Sequence, residues 1–196
     1  MKNRTEIINS LIKKFNYKTY LEIGCRKNEN FNKVNIEKKI GVDPERGGTI
    51  RMTSDDFFKL NKENFDIVFI DGLHWSEQVY RDMVNSLVFL NTNGTIVIHD
   101  CNPLNYWSQI VPRPKRPKNW NGDVWKSFLK LKSERDKLDM FVVDVDYGCG
   151  IIRNGEQKLI EKWNITYQEF EKNKKELLNL ISAEEFNKWI EQTNLL

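Results

Sequence analysis

Apolar positions along the chain alternate between two rhythms. Ile7, Ile8, Leu11, Ile12 and Phe15 recur at helical spacing, so residues 4–16 are predicted to form an amphipathic helix. TYLEIG, ending at Gly24, is rich in strand formers, and KKIGVDP is a second strand halted by Pro44. Beyond the Gly47-Gly48 turn, TIRM is expected to be a short third strand. Thr53 or Ser54 caps the helix carrying Phe57, Phe58 and Leu60, with Asp55 and Asp56 in its favourable first turn. FDIVFI is nearly all apolar, as expected of a strand covered on both faces of a parallel sheet. Val79, Tyr80, Met83, Val84, Leu87 and Val88 restore the helical spacing, and Asn93-Gly94 turns the chain into TIVI, a strand ending at His99-Asp100.

Strands and helices alternating in this way predict right-handed βαβ units, hence an α/β protein with a doubly wound, mostly parallel sheet. Residues 101–121 break the rhythm. Pro103, Pro112, Pro114 and Pro117 fall there, interleaved with Arg113, Lys115, Arg116 and Lys118, and a loop of that length is usually functional or disordered. Helix resumes near Asp123, and MFVVDVD and CGIIR are a closing pair of strands. Residues 156–196 lack Gly and Pro and carry Leu159, Ile160, Trp163, Phe170, Leu177, Ile181, Phe186 and Trp189 in helical stripes. The expected organisation is one domain over 1–196, with a core at 4–152 and a C-terminal helical extension.

Composition narrows the classes. A chain of 196 residues with 39% hydrophobic positions can close a core without disulfides. Its net charge of +3 gives no electrostatic reason to expect a nucleic-acid or membrane partner. Three cysteines with no CxxC pair argue against a disulfide scaffold or a cysteine zinc site. No apolar run approaches the roughly 20 residues of a membrane span, and MKNRTEIINS lacks a signal-peptide core, so a cytoplasmic protein is expected.

Ligands of open α/β sheets bind beyond the carboxyl ends of the strands, near the point where strand order reverses. Those positions hold Glu22-Ile23-Gly24-Cys25, Asp43-Pro44, Ser54-Asp55-Asp56, Asp71-Gly72-Leu73-His74 and His99-Asp100-Cys101-Asn102. Each strand end carries or adjoins a carboxylate, and both histidines of the chain are among them.

The series LEIGC, GVDP, SDDFF, FDIVFIDGLH and GTIVIHD resembles class I S-adenosylmethionine-dependent methyltransferases over residues 18–152. It is closest in pattern to macrocin-type sugar O-methyltransferases and more distantly similar to catechol-type O-methyltransferases. The resemblance implies a seven-stranded Rossmann-like sheet whose last strand is antiparallel, with S-adenosylmethionine as cofactor. It further implies that Gly24 lets the loop backbone, including Cys25, approach the methionine end, with Glu22 supporting that loop or the methionine amino group. Asp43 would take the ribose hydroxyls, since a carboxylate can accept from both. Ser54 and Asp55 would lie at adenine, and Asp71 at the cofactor's reacting side. Plainer readings exist: Asp43-Pro44 as a turn, Glu22 as a loop tie and Asp55 as a helix N-terminal charge. Of the usual glycine-rich loop only Gly24 remains, with Cys25, Arg26, Lys27 and Asn28 filling the rest. A nicotinamide dehydrogenase would need that loop for its pyrophosphate, whereas S-adenosylmethionine has no phosphate.

On the substrate side, the resemblance to catechol-type enzymes implies a magnesium ion at Asp71 and Asp100, with Asn102 as third ligand, a donor set suited to a hard cation. The alternative is that Asp71 orders its loop and Asp100 hydrogen-bonds His74 or the following backbone. His74 or His99 would act as general base, with Asp100 beside them, or be a satisfied loop histidine. Cys25 and Cys101 read as buried, inert thiols. The basic loop, flanked by Trp107 and Trp120, would close as a mobile lid over an anionic or glycosylated acceptor. The expected reaction is O-methylation of a small-molecule or sugar hydroxyl. A catalytically silent S-adenosylmethionine-binding module and an RNA methyltransferase are the alternatives, the latter disfavoured because no strip of interleaved aromatics and cations runs along the chain. A homo-oligomer remains open.

Overall fold

The computed structural model describes residues 1–115 and 118–193. In chain order the elements are α1 (Arg4–Phe15), β1 (Thr19–Ile23), β2 (Lys38–Val42), α2 (Ser54–Leu60), β3 (Phe65–Ile70), α3 (Ser76–Val88), β4 (Leu90–Ile98), α4 (Val124–Glu134), β5 (Leu138–Val143), β6 (Cys149–Asn154), α5 (Tyr167–Leu177), β7 (Leu180–Ile181) and α6 (Ala183–Gln192). The strands form one sheet in the order β2-β1-β3-β4-β6-β5-β7. All neighbours pair in parallel except β6, which is antiparallel to both β4 and β5. The chain runs outward from β1 to β2 and then returns to β3 on the other side of β1, so strand order reverses there.

Because successive strand residues face opposite ways, the sheet carries two apolar layers. Leu21 and Ile23 face the layer closed by Phe57 and Phe58 of α2, Val79 and Met83 of α3, Trp125 and Phe128 of α4 and Phe170 of α5. Tyr20, Ile67 and Phe69 face the other, closed by Ile7, Ile8 and Leu11 of α1 and Phe186 of α6. Helices on both faces make the sheet doubly wound, as expected. Among the described residues no helix is long and apolar enough to cross a membrane.

Local signals held at the helix ends. Asn3 caps α1 by accepting from the Glu6 N–H at 3.1 Å, and Asn16 closes it in the left-handed conformation. Thr53, not Ser54, caps α2. Thr166 and Ser182 open α5 and α6 with capping boxes to Glu169 and Glu185.

Three expectations fail. TIRM is not a strand: the Thr49 and Ile50 N–H groups both donate to Gly41 O, folding the segment tightly back so that only Ile50 bridges β2, at Val42. The seventh strand is instead β7 from the C-terminal segment, at the free edge of β5. Asn93-Gly94 lies inside β4 where the pairing with β3 shifts register, and a Cβ on Gly94 would stand 2.8 Å from Asp66 O. The stretch before α5 is irregular, with Ile160, Trp163 and Ile165 docked individually on the core.

Candidate functional site

The loops at the carboxyl ends of β1 and β3 meet at Gly24. Its φ of +87° suits glycine, and a Cβ there would lie 2.3 Å from Asp71 O and 2.5 Å from Gly72 Cα. The Cys25 side chain points away into the α1 layer, where burial and the nearby Glu22 push its thiol pKa up. The buried thiol matches the inert-cysteine expectation.

Asp43, just past β2, ties this corner together. Its Oδ2 accepts from the Arg26 N–H at 2.8 Å, and its Oδ1 accepts from the Glu45 and Arg46 N–H groups, both at 2.9 Å. Burial alone would raise its pKa, but these backbone donors outweigh it and hold the carboxylate below its ordinary range. The Cys25 N–H and the Arg51 guanidinium, 3.9 Å from Oδ1, face the carboxylate as well. These contacts are those of the turn cap of the plainer reading.

Glu22 is buried and accepts from the Tyr20 hydroxyl at 2.5 Å and the Asn30 amide at 2.9 Å. Asn30 in turn accepts from the Thr5 hydroxyl at 2.7 Å. The chain Thr5–Asn30–Glu22–Tyr20 fastens α1 and the post-β1 loop to the sheet, and burial raises the Glu22 pKa to about 7. The tie reading of Glu22 describes these contacts.

On the other side of Gly72, the Gln78 amide donates to Ser54 Oγ at 3.2 Å, Asp55 Oδ1 at 3.1 Å and Asp82 Oδ1 at 3.0 Å. Asp82 is 1% exposed, its Oδ2 has no partner, and burial raises its pKa to about 6. A Cβ on Gly72 would lie 4.0 Å from that oxygen. Sequence reasoning missed Gln78 and Asp82; the available signal was an acid beside Val79 and Met83 on the apolar stripe of α3.

Both histidines converge with three carboxylates. His74 places Nε2 3.4 Å from Asp71 Oδ1 and Nδ1 3.1 Å from Asp100 Oδ2. His99 Nδ1 lies 3.3 Å from Asp71 Oδ1 and 3.1 Å from Asp100 Oδ2, and its Nε2 lies 3.6 Å from Asp146 Oδ1. Burial disfavours a charged imidazole, but Asp71 and Asp100 outweigh it at both rings: the His74 pKa rises and that of His99 rises well above its ordinary value. Asp71 is correspondingly held far below the carboxylate range by His99 and His74, despite its burial. Asp100 has a φ of +64°, a strained conformation for a non-glycine residue, and its Oδ1 accepts from the Asn121 amide at 2.5 Å.

Residues 21–101 match the family model of a methyltransferase domain. Among solved structures, a candidate O-methyltransferase from Klebsiella pneumoniae is 12% identical at a TM-score of 0.61, covering 79% of this chain and 81% of that one. The O-methyltransferase TomG of Streptomyces achromogenes, involved in tomaymycin synthesis and solved with SAM, is 12% identical at 0.58, covering 78% and 79%. MycE of the mycinamycin pathway, solved with Mg, SAH and mycinamycin VI, is 15% identical at 0.50, covering 77% of this chain and 49% of that one. The fold is that of the Rossmann-like methyltransferases. No curated protein matches the chain.

In this methyltransferase fold the expected magnesium set does not fit. Atoms of Asp71, His74 and Asp100 do come within 4.8 Å of one another. Their oxygens, however, are already engaged: Asp71 Oδ2 by Arg4, Asp71 Oδ1 and Asp100 Oδ2 by the two imidazoles, and Asp100 Oδ1 by Asn121. Asn102 donates its amide N–H to Asp144 at 2.9 Å, and its Oδ1, the atom that would serve as third ligand, is buried without a hydrogen-bond partner. Magnesium binds oxygens and keeps several waters, whereas here the carboxylates face the Arg4 guanidinium and two imidazoles. His99, 5% exposed, faces Asp71, Asp100 and Asp146, whose charges push its pKa well above the ordinary histidine value against burial.

The proline-rich loop is anchored beside the cluster. Ser108 O accepts from the Asn121 and Gly122 N–H groups at 2.8 and 3.1 Å, and the Trp120 indole donates to Ile110 O at 2.7 Å. The Arg113 guanidinium lies 5.5 Å from the Trp120 ring. Arg116 and Pro117 lie outside the described residues. Arg4, Asn121 and Asp146 are the residues of this cluster that sequence reasoning missed, since none was among the strand-end positions read as ligand-binding.

Proposed function

We propose that this protein is an S-adenosylmethionine-dependent O-methyltransferase whose acceptor is a small-molecule or sugar hydroxyl. The observation that carries the reading is Asp43, an acid just past β2 beside the Gly24 loop, whose pKa backbone donors hold below the ordinary value. The methyltransferase family match over 21–101 and the SAM-bound TomG support it. In this reading Asp43 takes a ribose hydroxyl, and Ser54, Asp55 and the Gln78–Asp82 pair lie toward adenine. The positive and aromatic groups of the loop, Arg113, Lys115, Lys118 and Trp107, receive an anionic or glycosylated acceptor.

Methyl transfer breaks the sulfonium S–C bond and forms an O–C bond in line, so the chain's main task is positioning. His74 is the base in this proposal: its side chain is 21% exposed against 4% for His99. Neutral His74 accepts the hydroxyl proton, and Asp71 and Asp100 stabilise the imidazolium that results.

Calorimetric titration with S-adenosylhomocysteine tests the reading. Binding by the wild-type chain and its loss in Asp43→Ala is expected; no binding by the folded wild type overturns it. Binding without methyl transfer to any of a panel of hydroxyl acceptors leaves the silent module as the surviving alternative.

A further inference from the structure

Arg4, the first residue of α1, reaches across the carboxyl ends of the sheet into the carboxylate–histidine cluster. Its Nη1 donates to Asp71 Oδ2 at 3.0 Å, and its Nε lies 3.2 Å from Asp146 Oδ2. Its backbone N–H donates to the same Asp146 oxygen at 3.1 Å. Nη1 also stands 2.8 Å from each ring nitrogen of His99. A point that close to both nitrogens must lie over the ring face, because within the plane it would strike the carbon between them. One guanidinium thus touches the loop after β3, the histidine after β4 and the β5–β6 connection.

We propose that Arg4 is a positioning residue that supplies the fixed positive charge of this centre, at the place where the catechol-type resemblance puts a divalent ion, so that the centre excludes one. The proposal rests on the methyltransferase reading for its use, though not for its chemistry. Asp71, Asp100 and Asp146 bring three negative charges to one buried corner, and uncompensated carboxylates there would repel one another. A guanidinium keeps its charge under all ordinary conditions and presents several donors in one plane, so it can bridge two carboxylates at once. The donor is itself held still: Ile7, Ile8 and Leu11 of α1 are fully buried, and Asn3 caps the helix one residue before Arg4. A divalent ion entering here would meet one positive charge about 3 Å from its first ligand, and each oxygen of Asp71 and Asp100 already faces at least one nitrogen group.

Manganese(II), followed by electron paramagnetic resonance, is the probe, with the full chain and no acceptor. Wild type and Arg4→Lys should bind no Mn2+ at micromolar concentrations. Arg4→Met should bind at least about tenfold more tightly than wild type, as expected for removing a unit charge a few ångströms away, and Asp100→Asn added to Arg4→Met should abolish the gain. Micromolar Mn2+ binding by wild type that Asp100→Asn removes overturns the proposal, and so does a folded Arg4→Met chain that binds none. Should Arg4→Met fail to fold by circular dichroism, the wild-type and Arg4→Lys titrations decide, since Mn2+ binding by either at Asp100 overturns it. S-adenosylhomocysteine binding is measured separately: its absence defeats the proposed function, while the manganese result stands independently.

Discussion

The imidazole of His74 lies flat against the indole of Trp120, with ring centroids 5.2 Å apart and planes 8° apart. Its edges meanwhile face Asp71 and Asp100. A residue at the far end of the proline-rich loop therefore fixes the orientation of a ring whose nitrogens sit among the strand-end carboxylates. Trp120→Ala should lower kcat about tenfold by releasing that ring, while affinity for S-adenosylhomocysteine stays within about twofold. Steady-state kinetics beside calorimetry check this, and an equal loss in both would make Trp120 a structural residue only.

Gly122 presses on the same histidine. It has a φ of +64°, and a Cβ there would stand 1.8 Å from His74 O. Gly122→Ala should cost more than about 2 kcal/mol, because backbone must move and the conformation itself is strained. Urea unfolding measures it; a change under about half a kcal/mol would refute the contact.

Glu22 sets a pH dependence. Its folded pKa of about 7 lies above the ordinary value of 4.5, so the native state keeps a proton that the unfolded chain releases. Stability should therefore be fullest below about pH 4.5 for this group and fall as pH rises toward 7, by up to ~3 kcal/mol. Glu22→Gln should flatten that part of the profile and raise the melting temperature at pH 8. An unchanged slope between pH 5 and 7 would contradict it.

His74 gives the opposite sign in activity. Its pKa is raised above 6.5 by Asp71 and Asp100 against burial, so the neutral base becomes available only as pH climbs past that raised value. The rate should rise with pH through a value above the ordinary histidine pKa, and Asp100→Asn should move the rise to lower pH. A pH–rate profile for the two proteins checks the shift.

For the loop, Arg113→Ala, Lys115→Ala and Lys118→Ala together should raise the acceptor KM while leaving cofactor Kd nearly unchanged. For an anionic acceptor the effect should be larger at low salt, where charges are less screened. Parallel losses for both ligands would assign the loop a purely structural role.

Much of this protein was decided by sequence-local physics. The βαβ alternation, the apolar β3, the amphipathic α1 and α3 and the cap residues follow from periodicities of two and 3.6 and from side chains that satisfy helix ends within a few residues. The strand-end rule also groups Asp43, Asp71, His74, His99 and Asp100 at the carboxyl edge of the sheet from sequence alone. What lay beyond sequence was everything set by long-range contact. TIRM has strand-like composition, but its tight return onto Gly41 O leaves only Ile50 to bridge β2, and Leu180–Ile181 takes the opposite edge because β5 leaves it open. Asp82 carries no signal of its own in the sequence; only the fold buries it beneath Gln78 and beside Gly72. Arg4 stood 67 residues from Asp71 in a segment that read only as an entry helix. Charge pairing acts through space, so only the packing of α1 against the sheet could bring that guanidinium to the carboxylates and turn an expected metal site into an ion-pair network.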